Sequence, residues 1–325
     1  MPGFTTHYIF GMKAYNDMPF TPLKHTIAKY RWLYQLGLQG PDMFFYNIPI
    51  LRHRDYRNVG SYMHEHKVNA FFECCLRRIG TIRSRQQQEE AISYLAGFIN
   101  HYIADSICHP YVYGRIGYPV DAPTSMHHGM HAHLETELDA ILLWKYKKKK
   151  PSEFNQTATI CLNGQEIQFI SHFLASCINE TYYPITYRNN FQVTPAMVHR
   201  SIWALRFGCR TLSDKNGKKK FGIAQVESIF VNHPVASAKM VTDSVTDYRS
   251  SCNLNHEAWS NPWDPTRVST ASFVDLFHET LDKCSRVYAL LNSAVTDNMP
   301  LDKQDLSPLL AELGNESYHS GLPVD

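Results

Sequence analysis

At 325 residues the chain is long enough for one large domain or two ordinary ones. Its 44% hydrophobic and 19% charged residues exclude a disordered chain, and a formal charge of only +2 excludes a strong global field for nucleic acid or anionic membranes. No stretch approaches the roughly 18 uninterrupted apolar residues of a membrane span.

The opening Met1-Pro2-Gly3-Phe4-Thr5-Thr6-His7 has neither the basic n-region nor the apolar h-region of a signal peptide. That points to the cytoplasm; a secreted protein would have to be a processed form. Cysteines at 74, 75, 108, 161, 177, 209, 252 and 284 form no Cys-x-x-Cys pair and no disulfide-like spacing, so reduced thiols are expected. Any metal chemistry should therefore rest on imidazole and carboxylate.

In chain order the pattern is helical. Leu23, Ile27, Tyr30, Leu33 and Leu36 predict a helix from Pro22 to about Leu38. An irregular stretch from Gly40 to Gly60 follows, then a second helix from Tyr62 to about Ile79. A third runs from about Gln86 to Cys108 and should stop at Pro110, whose ring does not continue a helix. A fourth covers about Met126 to Lys148 and ends in the basic run Lys145–Lys150, which reads as a solvated helix end. Asn163-Gly164 between short alternating segments predicts a two-residue β-hairpin linking the two halves. Further helices are expected near 167–182, 195–213 and 270–296, with a polar Trp- and Pro-containing segment, Asn253 to Pro265, before the last. The fold class is thus all-α, a multi-helix bundle with a small β-hairpin linker and a helical C-terminal half. Residues 1–150 and 151–325 form either two packed regions or one continuous domain.

Histidine carries the chemistry. Eleven of the 17 histidines precede residue 134. On a helix, positions i, i+4 and i+8 drift only about 40° per step, so His101, Asp105 and His109 share a face. With apolar Ile99, Ile103 and Ile107 beside them, this helix should be buried. A buried aspartate between two histidines needs a charge partner, and a divalent ion supplies one; a metal-free His–Asp pair is the alternative. The next helix carries two i,i+4 pairs, His131/Glu135 and His133/Glu137. The apolar side of Leu134, Leu138, Ile141 and Leu142 lies nearer the first pair, which favours His131 and Glu135 as ligands and His133/Glu137 as a surface pair. Asp139 could hydrogen-bond a ligand histidine, and His127 and His128 read as loop or cap residues. A nitrogen and oxygen set without thiolate suits catalytic zinc.

These residues, in order, resemble the zinc-dependent phospholipase C family, whose fold is shared with single-strand-specific zinc nucleases. The resemblance covers roughly residues 1–145. It rests on His7 in Thr-Thr-His-Tyr-Ile-Phe-Gly, Asp42 in Gly-Pro-Asp-Met-Phe-Phe-Tyr, and His64 in Gly-Ser-Tyr-Met-His-Glu-His. The His101/Asp105/His109 helix and the His131/Glu135 helix complete it. It implies a helical bundle around a zinc cluster in which Asp105 bridges two ions. His101, His64 and Asp42 would complete one site, His7 would serve a second, and His109, His131 and Glu135 would form a third. Two departures stand out. His109 follows Asp105 more closely than in the family, which leaves His127 or His128 as substitutes. His7 stands six residues from the start, where the family also uses an N-terminal amine. Two or three ions are therefore expected.

The implied activity is hydrolysis of a phospholipid-type phosphodiester. The ions would bind its oxygens and activate water, with Asp42 as the ligand nearest that water and candidate general base. Phe44, Phe45 and Tyr46 would line a pocket or pack the core. The partner is then a lipid or small-molecule phosphodiester, with transient membrane-surface contact. A nuclease or nucleotidase using the same metals, and a metal-binding protein without hydrolase activity, are the rivals. The remaining histidines, at 25, 53, 66, 172, 199, 233, 256, 278 and 319, match nothing and read as structural or surface.

Overall fold

The computed structural model describes residues 3–46, 59–183, 192–212, 214–230, 237–243 and 247–325. The first helix, α1 (Phe4–Asp17), was not expected from the sequence pattern. It is followed by α2 (Pro22–Lys29) and α3 (Arg31–Gly37), which divide the expected 22–38 helix at Tyr30, where φ is −114° and ψ 42°. A 3-10 turn over Gly40–Tyr46 opens the stretch expected to be irregular. Next come α4 (Val59–Glu65) and α5 (Val68–Thr81), separated by Lys67 in a left-handed conformation with φ +49° where one helix was expected. His53 and His233 lie outside the described residues.

The longest helix is α6 (Arg85–Arg115), and it corrects the expectation at Pro110, which sits inside it. A proline there removes one i→i−4 hydrogen bond, the one that would reach the Ser106 carbonyl. Buried packing on both sides of the gap holds the helix, with Cys108, Tyr111 and Val112 in one apolar cluster. The helix packs on α3, on α1 and on the later helix Phe273–Thr296, with α7 (Ser125–Lys147) alongside. Tyrosines tie these helices together inside the core. Tyr34 Oη donates to Gly11 O at 2.8 Å, Tyr288 Oη donates to Ala96 O at 2.9 Å, and the two hydroxyls lie 3.1 Å apart.

The second half contains α8 (Gly164–Thr181), α9 (Pro195–Thr211), α10 (Lys218–Phe230), the short α11 (Tyr248–Ser251), α12 (Phe273–Thr296) and α13 (Ser307–Leu313). The hairpin expected around Asn163-Gly164 is absent from that place. Asn163 is instead the N-cap of α8. Its side chain accepts from Glu166 N at 2.9 Å and Glu166 Oε2 accepts from Asn163 N at 2.8 Å, a reciprocal box that satisfies two amide donors at the helix start. The hairpin that does form lies in the Trp-containing segment: β1 (Trp259–Asn261) pairs antiparallel with β2 (Asp264–Ser269), Trp259 opposite Ser269. It packs on the end of α6. Among the described residues the bundle is therefore all-α with one small hairpin, and the core cluster joins residues from α1 to the C-terminal tail.

Replacing Asn163 with Ala should cost about 1 kcal/mol in urea unfolding, as an N-cap loss does. Gly164→Ala should be neutral or slightly stabilising, since nothing lies within 4 Å of an added Cβ there and the residue opens a helix. A large loss for Gly164→Ala would indicate the turn rather than the cap.

Candidate metal centre

Four segments deliver the chemistry to one face of α6. His101, Asp105 and His109 point inward from that helix and are 0% exposed. His7 arrives from the first turns of α1, Asp42 from the 3-10 turn, His64 from the end of α4, and His131 and Glu135 from α7; all are buried. The Gly40-Pro41-Asp42 signature has a steric reason. Gly40 adopts φ +46°, and a Cβ on it would overlap the imidazole of His101. Only glycine brings this turn close enough to set Asp42 beside the helix.

The atoms fall into two groups. In the first, Asp42, His64, His101 and Asp105 each offer a ligand atom within 4.8 Å of the others. His64 Nε2 is 3.2 Å from Asp42 Oδ1 and 3.7 Å from Asp105 Oδ2; His101 Nε2 is 3.1 Å from Asp105 Oδ2 and 3.8 Å from Asp42 Oδ1. In the second, His109 Nε2 is 3.5 Å and His131 Nε2 2.6 Å from Glu135 Oε1. Asp105 stands between further partners. Its Oδ1 faces His7 Nε2 at 3.2 Å, and its Oδ2 lies 3.8 Å from His109 Nδ1. Tetrahedral zinc with bonds of about 2.0–2.2 Å sets ligand atoms about 3.3–3.6 Å apart; the first group and the His109–Glu135 pair lie near that spacing, while His131 and Glu135 stand closer, at hydrogen-bond distance.

The tautomers fit as well. His64 Nδ1 donates to Gly60 O at 2.6 Å, His101 Nδ1 to Leu38 O at 3.1 Å, and His109 Nδ1 to Tyr318 O at 2.6 Å. A carbonyl only accepts, so each Nδ1 carries a proton, and a ring holding that proton alone turns its Nε2 lone pair inward. For His64 and His101 that lone pair then faces carboxylate oxygens. Acceptor against acceptor at such distances repels unless a proton or a cation stands between. Nε2 of His64, His101 and His109 and both oxygens of Asp105 are buried without a hydrogen-bond partner among the described residues. A divalent ion satisfies all of them together.

Burial acts to raise the Asp105 carboxyl, but the imidazoles of His109, His101 and His7 pull it well below the usual carboxylate range. Burial pushes His109 down to about 3 against the pull of Asp105, and holds His131 well below the ordinary imidazole range. Both rings are then neutral at pH 7, the form a metal needs.

Other expectations divide. His109, rather than His127 or His128, sits with His131 and Glu135. His127 and His128 bond back to Thr124 at the start of α7. His66 packs on Tyr62, away from the ligand groups. His133 is half-exposed, but Glu137 is buried and accepts from the Ser251 hydroxyl, so the pair is not a plain surface pair. Asp139 contacts no ligand histidine; it accepts from the Thr5 and Thr6 amides at 3.2 and 2.7 Å and so caps α1 just before His7. Phe44 is core, while Phe45 packs on His64 with ring centres 5.5 Å apart. His319, which the sequence pattern reads as structural or surface, lies against the site. Its ring stacks on His64 at 4.9 Å and edges His109 at 5.7 Å. An isolated histidine near a chain end carries no spacing signal, and only the fold reveals its position.

The metal-free protein should lose stability as pH falls from 7 to 5. His109 and His131 have depressed pKa values when folded, and the unfolded chain takes up their protons near pH 6.5 while the folded one does not, so their contribution fades with acid. Asp139 works in the opposite sense. Burial raises it to about 7 despite the Thr5 and Thr6 amides, so its contribution fades as pH rises from about 4 to 7. Two imidazoles outweigh one carboxyl. Asp139→Asn should then steepen the fall, read as Tm against pH with chelator present; a Tm that rises toward pH 5 would contradict the assignment.

A family model described as zinc-dependent phospholipase C matches residues 6–187. That span holds all eight residues gathered around α6. No curated protein and no solved structure matches the chain. With more than half of its length matched, the chain belongs to the zinc-dependent phospholipase C family.

Proposed function

We propose that the protein is a zinc-dependent phosphodiesterase of the phospholipase C type, acting on a phospholipid or related headgroup ester. The observation that supports this best is Asp105, whose two oxygens face separate sets of imidazoles, His7 on one side and His101 and His64 on the other. In this reading Asp42, His64, His101 and Asp105 hold one ion, and His109, His131 and Glu135 another. His7, on the far oxygen of Asp105, marks the place of a third. Zinc, when bound, supplies Lewis acidity that lowers the pKa of water and offsets charge on a phosphodiester. Three protein donors in the His109 group leave room for substrate or water, as in catalytic rather than structural sites.

The chain's own groups do the rest. Asp42 orients the attacking water and takes its proton on Oδ2. Beside the second group, Tyr113 packs on His131 with ring centres 4.4 Å apart, and Trp263 and Tyr118 close around it at 4.9 and 4.7 Å. These partly exposed rings form a rim suited to an apolar or cationic headgroup. The transient lipid contact falls to α9. Arg200, Trp203, Phe207 and Arg210 follow at spacings of three, four and three, so they share one face. All four are exposed, and the Trp203 and Phe207 rings stack at 5.4 Å. Aromatic residues flanked by arginine suit the interface of an anionic bilayer. Among the described residues no helix is long and apolar enough to cross a membrane.

Elemental analysis of metal-replete protein should give two to three zinc per chain, falling to about one, held by His109, His131 and Glu135, in Asp105→Ala; no zinc in the wild type would end the hydrolase reading. Assays on phosphatidylcholine, single-stranded DNA and nucleotides should show lipid hydrolysis, lowered about 100-fold or more by Asp42→Asn. Hydrolysis of DNA alone would favour the nuclease, and inactivity with zinc bound a non-catalytic metal protein. A Trp203→Ser/Phe207→Ser double variant should sediment less with anionic vesicles, yet hydrolyse a soluble short-chain lipid as before.

A further inference from the structure

The C-terminal tail lies outside the matched span, yet one of its residues touches both ligand groups. Tyr318 N donates to the carbonyl of His64 at 2.9 Å, and Tyr318 O accepts the Nδ1 proton of His109 at 2.6 Å. The Tyr318 side chain is buried, with its ring 4.8 Å from that of His64 and 5.9 Å from that of His101. The next residue, His319, stacks on His64, and its Nδ1 lies 3.4 Å from Glu65 Oε1.

The tail is held in place by contacts with other parts of the fold. Asn261 Nδ2, on the hairpin, donates to Ser320 O at 2.7 Å, while within the tail Gly321 N donates to Ser317 O at 3.0 Å and closes the turn. Gly321 has φ +60°, and a Cβ on it would lie 2.5 Å from the Ser106 carbonyl and 3.1 Å from the Pro110 ring. The tail thus seats on α6 where Pro110 leaves the Ser106 carbonyl without its usual helical donor.

Resting on the zinc reading above, we infer that Ser317–Gly321 is a clasp whose docking completes the second metal group, with Tyr318 as the positioning residue of His109. Gly60 O and Leu38 O, which fix His64 and His101, belong to the helices around the site. The carbonyl that fixes His109 comes from the tail alone. With the tail displaced, the His109 ring loses the bond that fixes its tautomer and rotation, and zinc held by His109, His131 and Glu135 weakens. Loss of such an outer partner typically weakens metal binding by about 10–100-fold. Coupling of this kind is reciprocal, so zinc should in turn hold the tail down.

The test uses the full chain with zinc alone. Gly321→Val changes no ligand and blocks the seat on α6; a chain ending at Glu316 removes the clasp. Both should stay helical by circular dichroism, retain zinc at the Asp42 group, and lose about one zinc per chain on dialysis against a weak chelator. Should the truncated chain fail to fold, Gly321→Val and the wild type still decide. On the wild type, carboxypeptidase should release the terminal residues about tenfold more slowly with zinc than with EDTA. Unchanged zinc retention in folded Gly321→Val, or digestion insensitive to zinc, would overturn the clasp while leaving the zinc enzyme intact. A wild type that binds no zinc would overturn both.

Discussion

Asp105 is a carboxylate with no access to solvent, set in the middle of the longest helix, and the surrounding structure answers to it. An isolated buried carboxylate is costly enough that a chain either neutralises it or surrounds it with charge and donors. Here the surroundings are imidazoles. His109 is kept neutral by its own burial, and the carbonyl acceptors on His64 and His101 aim lone pairs inward. Held by hydrogen bonds alone, that arrangement would need a second proton on each ring. Coordination needs none, because a cation placed among those atoms turns each repulsion into a bond. Burial then helps, since a low dielectric strengthens every ion–ligand attraction and shields it from salt.

The rest of the fold aims the rings. Each of the three fixed imidazoles takes its orientation from a carbonyl in a different structural setting: Gly60 one turn back in α4, Leu38 just past the end of α3, and Tyr318 in the tail. His7 is oriented less directly. Asp139 on α7 accepts the first amides of α1, and so fixes the helix whose next residue is His7. One α7 helix therefore provides two candidate ligands directly and anchors a third by its helix cap. This division explains why an aspartate one turn beyond Glu135 is buried without belonging to either ligand group.

The site was more legible in the sequence than the fold that holds it. His101/Asp105 and His131/Glu135 are local in sequence, and helical geometry converts their spacing into a shared face without any knowledge of the tertiary structure. The hydrophobic pattern likewise located α8, α9 and α12 to within a few residues. Single punctuating residues are more ambiguous. Asn163-Gly164 suits a tight turn and a helix start alike, and the Glu three residues after Asn163 decides for the cap. Tyr30 and Lys67 break helices without any proline or glycine, because packing rather than propensity sets the bend. Tyr318 and Asp139 act through backbone atoms far away in sequence, and no spacing rule reaches across those separations.

Pro110 and the C-terminal tail show how two such features form one device. Read alone, the proline is a helix stop, and the tail is an end with nothing to do. In the bundle the helix runs on because its neighbours hold both sides of the proline. The cost of the missing amide falls on one carbonyl, that of Ser106. A chain segment with a side chain at that point would collide with the helix, and Gly321 does not. The defect thus becomes a seat, immediately beside His109. A helix obeying its propensity would have ended at the seat and left His109 on its last frayed turn. Carried past the proline and held from outside, the same histidine sits in the interior of a rigid element with its ring fixed by Tyr318 O, the fixed geometry that a candidate metal ligand needs.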